Sequence, residues 1–199
     1  MLLLTLLAAC SCPEGTVEAP SGECLQPADH AESQEEALAL LPDCVPLTPS
    51  DRLDIEAGCA DGVCAGSSFA ENNASFGEAG SCDHGLLEDD YLYCNWGEDV
   101  YAFYDDADND GVPDGDDTSL GIFIHDSWDG SDVDGLGIGV SFTCFMDALG
   151  EPSDIDYHVD DRGYYYVADM DWSDLGLYVN GELFDHDGKA WHMSLFGAD

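Results

Sequence analysis

Beyond residue 60 the apolar positions fall into short segments whose pattern recurs along the chain. Phe142, Phe145, Met146 and Leu149 stand at i, i+3, i+4 and i+7, one apolar stripe that predicts a short helix. Ser141 is placed to cap its start and Gly150 to stop it. Ser68, Phe69 and Gly77 hold the same places 73 residues earlier. That earlier stripe is poorer, because Asn72 and Asn73 replace Phe145 and Met146. Short aromatic or β-branched segments separated by Asp- and Gly-rich turns follow each helix and predict three strands apiece. They are Tyr91–Trp96, Val100–Tyr104 and Leu120–His125, then Tyr164–Asp169, Leu175–Asn180 and Ala190–Phe196. Leu120, Ile122 and Ile124 alternate as on one face of a half-buried antiparallel sheet.

The recurrence is also visible as identity. Gly66-Ser67-Ser68-Phe69 and Phe76-Gly77-Glu78-Ala79 match Gly139-Val140-Ser141-Phe142 and Leu149-Gly150-Glu151-Pro152, and Tyr91-Leu92-Tyr93 matches Tyr164-Tyr165-Tyr166 at the same offset. The expected fold is α+β: two tandem α-β-β-β units, an antiparallel sheet with helices on one face, after a Cys-rich N-terminal segment. The expected division is 1–9 as a signal peptide, 10–58 as a Cys-rich tether and subdomain with a helix near Ala31–Leu41 ending at Pro42, 59–134 as the first unit and 135–199 as the second. The acidic stretch Asp126-Ser127-Trp128-Asp129-Gly130 through Asp132 and Asp134 reads as a solvated hinge between the units.

A helix, then Gly-Glu-Pro, then a meander resembles the repeat of the β-lactamase-inhibitory-protein fold. It is similar also to the small outer-membrane assembly lipoproteins of the SmpA/OmlA (BamE) type. The resemblance spans roughly residues 60–197 and implies helices laid on one face of an antiparallel sheet, and action by binding another protein.

Charge changes the picture. The 199 residues include 44 Asp or Glu and only 3 Lys or Arg, a formal charge of −41. Such a field repels phosphate backbones and anionic headgroups, which excludes nucleic-acid binding and leaves the membrane reachable only through a lipid. With 45% hydrophobic residues the chain is too apolar for a disordered acidic tail.

The N-terminus supplies the lipid. Residues 2–9 are an apolar run too short to cross a bilayer, ending in Leu7-Ala8-Ala9-Cys10, which resembles the lipobox of bacterial lipoproteins. That resemblance implies cleavage before Cys10, acylation of its thiol, and, with Ser11 following, export to the outer membrane on the periplasmic or cell-surface side. The alternative is an ordinary cleaved secretory signal, which changes the anchor but not the compartment. The eight remaining cysteines are even in number, as for disulfides in an oxidising space. Spacing favours Cys82 with Cys94 and Cys12 with Cys24; scattered His residues and the lack of Cys-x-x-Cys argue against zinc.

Asp106-Ala107-Asp108-Asn109-Asp110-Gly111-Val112-Pro113-Asp114-Gly115-Asp116-Asp117 resembles EF-hand and thrombospondin-type-3 calcium loops. Asp106, Asp108 and Asp110 take positions 1, 3 and 5, Val112 offers its carbonyl at 7, and Asp114 and Asp117 take 9 and 12. Asp at position 12 reaches less well than Glu, which predicts lower affinity. Predicted strands flank the loop, so Ca²⁺ is expected to be structural, relieving mutual repulsion of the carboxylates. The second unit keeps a remnant, Asp185-His186-Asp187-Gly188-Lys189, with a cation where a ligand would stand.

No H-E-x-x-H, G-x-S-x-G, P-loop or Rossmann glycine pattern occurs. Three basic residues leave almost nothing to stabilise an oxyanion or grip a phosphate. The expectation is a non-catalytic, calcium-stabilised envelope lipoprotein that binds an unknown protein. The alternatives are a passive acidic envelope protein and a carboxylate-based secreted hydrolase. Tyr91, Tyr93, Tyr101, Tyr104, Tyr164, Tyr165, Tyr166 and Tyr178 suit either sheet packing or a binding surface. The sequon Asn73-Ala74-Ser75 falls inside a predicted helix.

Overall fold

The computed structural model describes residues 17–18, 24–25, 31–84, 91–97, 99–105, 112–181 and 188–196. In chain order, β1 (Val17–Glu18) pairs with β2 (Cys24–Leu25), and helix α1 (Gln34–Ala39) follows. Next, β3 (Leu53–Asp54), β4 (Cys59–Ala60) and β5 (Val63–Cys64) form a small antiparallel sheet. Helix α2 (Phe69–Phe76) leads into β6 (Ser81–His84), β7 (Tyr91–Trp96), β8 (Val100–Asp105) and β9 (Ser119–Ile124). Helix α3 (Phe142–Leu149) leads into β10 (Asp154–Val159), β11 (Tyr165–Trp172), β12 (Leu177–Gly181) and β13 (Ala190–Phe196).

The α+β class holds. Helices α2 and α3 are each followed by four strands, not three, and all eight join one antiparallel sheet ordered β10-β11-β12-β13-β9-β8-β7-β6. The last strands of the two halves, β9 and β13, meet at its centre. The two extra strands are the outermost ones: β6 is short and polar, and β10 alternates Asp, Ile, Asp, Tyr, His and Val. Edge strands have one unpaired side and little burial, so their hydrophobic signal is weak.

Both halves close at the same joint. Ser68 bridges Thr118 and Ser141 bridges Lys189, each tying a helix N-cap to the residue before the half's last strand. Around the bridges, Phe69 N–H donates to Asp117 O and Phe142 N–H to Gly188 O. Gly66 N–H likewise donates to Ser119 O, and Gly139 N–H to Ala190 O. The Gly-x-Ser-Phe identity thus encodes a joint between helix start and central strand. Ser68 also completes a capping box with Glu71, which Ser141 lacks.

Inward positions build the core in register. Met170, Val179, Met193, Ile124, Val100 and Trp96 form one row across six strands, and Leu177, Leu195, Ile122, Ala102 and Cys94 form another. The helices cover this side: Phe69 packs on Trp96 and Tyr104 (5.9 and 5.6 Å between ring centroids), and Phe145 packs on Trp172 (6.0 Å). Ala37, Leu38 and Leu41 bring α1 and its exit onto the same core.

Several local expectations shift. Helix α1 is shorter than Ala31–Leu41 because Ser33 caps Glu36 N–H and Ala31 pairs with Tyr165 in a β-bridge. Leu120 does not share a face with Ile122 and Ile124: a bulge opposite Phe103 and Tyr104 turns it out, 43% exposed, and Ser119 takes the inward place. Ser173–Leu175 is a 3₁₀ turn, so the next strand starts at Leu177. The acidic stretch 126–134 is not a solvated hinge. Trp128, Ser131 and Asp132 are buried, and Leu47, Ser50 and Leu53 donate backbone N–H to Gly135, Asp132 and Ser131 carbonyls. One Asp132 oxygen accepts from Asp134 and Leu136 N–H, so this buried acid makes a turn. The three-stranded sheet straddles the expected boundary at residue 58.

The polar helix α2 has its own logic. Asn72 is buried and clamps β5, accepting from Cys64 N–H (2.9 Å) and donating to Cys64 O (3.2 Å) and Tyr104 Oη (2.8 Å). Burial pushes the Tyr104 phenol up to about 12. Asn73, the sequon asparagine, accepts from Ala79 N–H and the Trp96 indole.

Candidate functional site

Cys10 and Cys12 lie outside the described residues, as do the calcium-loop residues Asp106, Asp108 and Asp110; Cys24 lies in β2. Of that loop the structure describes the end. Val112 and Asp114 are exposed, Pro113 is buried, and Asp117 Oδ2 accepts from Asp114 N–H at 2.7 Å. Gly115 O and Asp117 O accept from Ala70 and Phe69 N–H, so the loop ends on the first turn of α2. Among the described residues no group of three or more His, Cys, Asp or Glu is arranged to hold a metal ion. Of the remnant in the second half, Gly188 and Lys189 serve the joint at Phe142 and Ser141, while 185–187 lie outside the described residues.

Cys82 and Cys94 are directly opposite across β6 and β7, Cα atoms 4.1 Å apart, and are bridged. Two further disulfides were not legible from spacing: Cys59–Cys64 closes the β4–β5 hairpin, and Cys44–Cys144 ties the exit of α1 to α3 across 100 residues.

The other side of the large sheet is a chemically distinct surface. Alternation sends every second residue outward, and register aligns these residues in rows. One row runs Asp154, Asp171, Tyr178, Ser194, Phe123, Tyr101, Asn95 and Ser81 across all eight strands. A second runs Phe196, Gly121, Phe103, Tyr93 and Asp83. A third runs Asp156, Asp169, Asn180 and His192, whose ring lies 4.7 Å from that of His125. The helices all pack on the opposite side.

The middle of this face is a continuous aromatic platform. Ring centroids are 6.0 Å apart for Tyr93–Phe103, 5.6 Å for Phe103–Phe123 and 6.0 Å for Phe103–Phe196, and Tyr101 lies 4.8 Å from His125. Gly121 makes the platform flat: a Cβ there would stand 2.8 Å from the Phe103 ring and 2.9 Å from Leu195 O. Most of these rings are half-buried, and Phe196 is exposed.

Charge is confined to the flanks. The eight strands contain six Asp and no Glu, Lys or Arg. All six Asp fall on the outward side: Asp83 and Asp105 on one flank, and Asp154, Asp156, Asp169 and Asp171 on the other. The last four line a cleft of about 100 Å³ with Tyr178. Asp169 Oδ1 accepts from Asn180 Nδ2 at 2.6 Å. Burial, then the Asp169 charge, pushes the Tyr178 phenol up to about 12, so it stays a neutral donor. Burial, then His125, holds the His192 imidazole below its ordinary value.

Of the tyrosines singled out in the sequence, Tyr104 is a core residue, while Tyr91, Tyr93, Tyr101 and Tyr178 stand on the face. Phe103, Phe123, Phe196 and the paired aspartates were missed there. Their signal is an aromatic or Asp at every second position between core residues, as in Tyr101-Ala102-Phe103 and Asp169-Met170-Asp171. Against protein-family models, curated proteins and solved structures the chain shows no match.

Proposed function

We propose that this chain is a non-catalytic envelope lipoprotein, anchored through Cys10 and stiffened by Ca²⁺ in the loop 106–117, that binds another protein on the outer face of its sheet. The observation that carries this reading is the aromatic platform of Tyr93, Tyr101, Phe103 and Phe123, with Phe196 at its rim. Aromatic side chains bring large contact area at low entropy cost, and interfaces are enriched in them. In the calcium reading Asp106, Asp108, Asp110, Asp114 and Asp117 supply carboxylates and Val112 a carbonyl.

Capture from envelope extracts tests the proposal, using the intact chain and a Phe103→Ala/Phe123→Ala variant. A saturable partner retained by the first and lost by the second is the expected result. Saturable capture that ignores the double variant would move the interface elsewhere, and none at all would remove it. The anchor is tested separately: Cys10→Ser should release the protein from membranes.

A further inference from the structure

We infer that the occupant of this face is a cationic protein segment, with Lys or Arg placed beside apolar side chains. The inference rests on the reading of the face as a protein interface and names its partner class. Three observations select it. The platform offers aromatic ring faces, on which aliphatic stems and guanidinium or ammonium groups both settle favourably. Aspartates border the platform on both flanks, and no cation of this chain stands on any of its strands. On the β10–β11 flank they stand in like-charge pairs, Asp154 opposite Asp171 and Asp156 opposite Asp169, an arrangement that costs the sheet stability by itself and that incoming cations relieve.

The other occupants are disfavoured by the same electrostatics. A second copy brings another formal charge of −41. The chain's own residues 1–30 carry Glu14, Glu18, Glu23 and Asp29 and no Lys or Arg. An anionic lipid surface or nucleic acid is repelled outright. A foreign segment with positive charge spaced to reach the flanks, and apolar groups between, fits the platform and the acids together.

The test uses the full chain and labelled short peptides alternating Arg with Leu, Gln with Leu or Glu with Leu. The Arg–Leu peptide should bind at least about tenfold tighter than the Gln–Leu peptide, the Glu–Leu peptide weakest, with affinity falling as salt rises. Asp169→Asn/Asp171→Asn, isosteric and relieved of repulsion, should weaken the Arg–Leu peptide about tenfold while melting no lower than the parent. Asp147→Asn/Glu151→Gln, the same charge loss on the helix side, should change it less than about twofold. Equal loss in both variants would reduce the effect to the diffuse field and overturn the proposal, as would equal binding of the Arg–Leu and Gln–Leu peptides. A photo-cross-linker at position 123 separates the two levels. Cross-linking to a partner with no basic segment overturns the cationic assignment but keeps the interface, and failure of both peptide and cross-link removes the interface itself.

Discussion

Trp172 donates its indole N–H to the carbonyl of Gly150 at 3.1 Å, bolting the inner end of β11 to the residue that ends helix α3. Trp96 makes the same bond to Gly77 O, also 3.1 Å, at the end of α2. The two indoles lie 76 residues apart while their glycine partners lie 73 apart, so the bolt survives a change in strand length. Each tryptophan also packs on an aromatic ring of that helix, Trp172 on Phe145 and Trp96 on Phe69. We therefore expect Trp172→Phe, which keeps the ring packing against Phe145 but leaves Gly150 O without its donor, to cost about 1–2 kcal/mol in urea unfolding. Trp172→Ala should cost about 3–5 kcal/mol. No cost for Trp172→Phe would assign the effect to packing alone.

How far this was legible in the sequence follows from where each signal arises. Ser68, Gly77, Ser141 and Gly150 sit at helix ends, where local backbone chemistry decides, and both helices start and stop as their caps direct. Strands β7, β8 and β13 were equally plain, since Cys94 or Val100 must alternate with outward residues. Edge strands β6 and β10 were not, because burial supplies the hydrophobic signal and edges have little. The outer face was half visible: its tyrosines stood out, but membership depends on register, which places Phe123 beside Tyr101 and Ser194 from distant segments. The pairing of Cys44 with Cys144, 100 residues away, lies beyond any argument from spacing.

Asn72 interrupts the apolar stripe of α2 yet is 1% exposed, and its amide is fully engaged with Cys64 and Tyr104. Replacing it with Leu restores hydrophobic periodicity but strands a half-buried N–H and C=O of β5 and the buried tyrosine hydroxyl. Asn72→Leu should lower stability by about 2–4 kcal/mol, read from the denaturant midpoint. A gain in stability would show that the β4–β5 hairpin is held elsewhere.

The disulfides should rank by the loop each closes. Chain entropy assigns about 4–5 kcal/mol to a loop of 100 residues and about 2 kcal/mol to the loop between Cys59 and Cys64. Cys44→Ala/Cys144→Ala should therefore drop the unfolding midpoint well below that of Cys59→Ala/Cys64→Ala. The reverse order would place the stability in the hairpin.

Arg52 grips Asp61 through two hydrogen bonds of 2.7 and 2.8 Å, bonds Asp129 as well, and lies over the Trp128 ring, whose indole donates to Asp61. The Arg52 bonds hold the Asp61 carboxyl below its ordinary value. A depressed folded-state value means the contribution is present above the unfolded carboxylate range and is lost as pH falls through the folded value. Parent and Arg52→Met stabilities should differ at pH 7, and the difference should shrink progressively as pH falls below about 4. Salt acts oppositely on the molecule as a whole: shortening the Debye length from about 30 Å to 3 Å relieves the self-repulsion of a chain at −41. The melting temperature should rise by several degrees between about 0.01 and 1 M salt, and a fall would show that the few ion pairs outweigh the repulsion.

Calcium should be felt at two particular amides. The loop 106–117 ends with Gly115 O and Asp117 O accepting from Ala70 and Phe69 N–H, the opening turn of α2, so whatever fixes the loop also fixes that turn. Asp117 is both position 12 of the ligand pattern and the acceptor of Asp114 N–H, which joins the expected ion to this hydrogen-bonded end. We expect Ca²⁺ to raise the melting temperature relative to chelator. It should slow hydrogen exchange at Phe69 and Ala70 about tenfold or more, while Phe142 N–H, whose acceptor is Gly188 O in the half with Lys189, stays unchanged. Asp110→Asn should remove both responses. Slowing at all three amides alike would point to global stabilisation by screening, and none at any of them would remove calcium from the account of this loop.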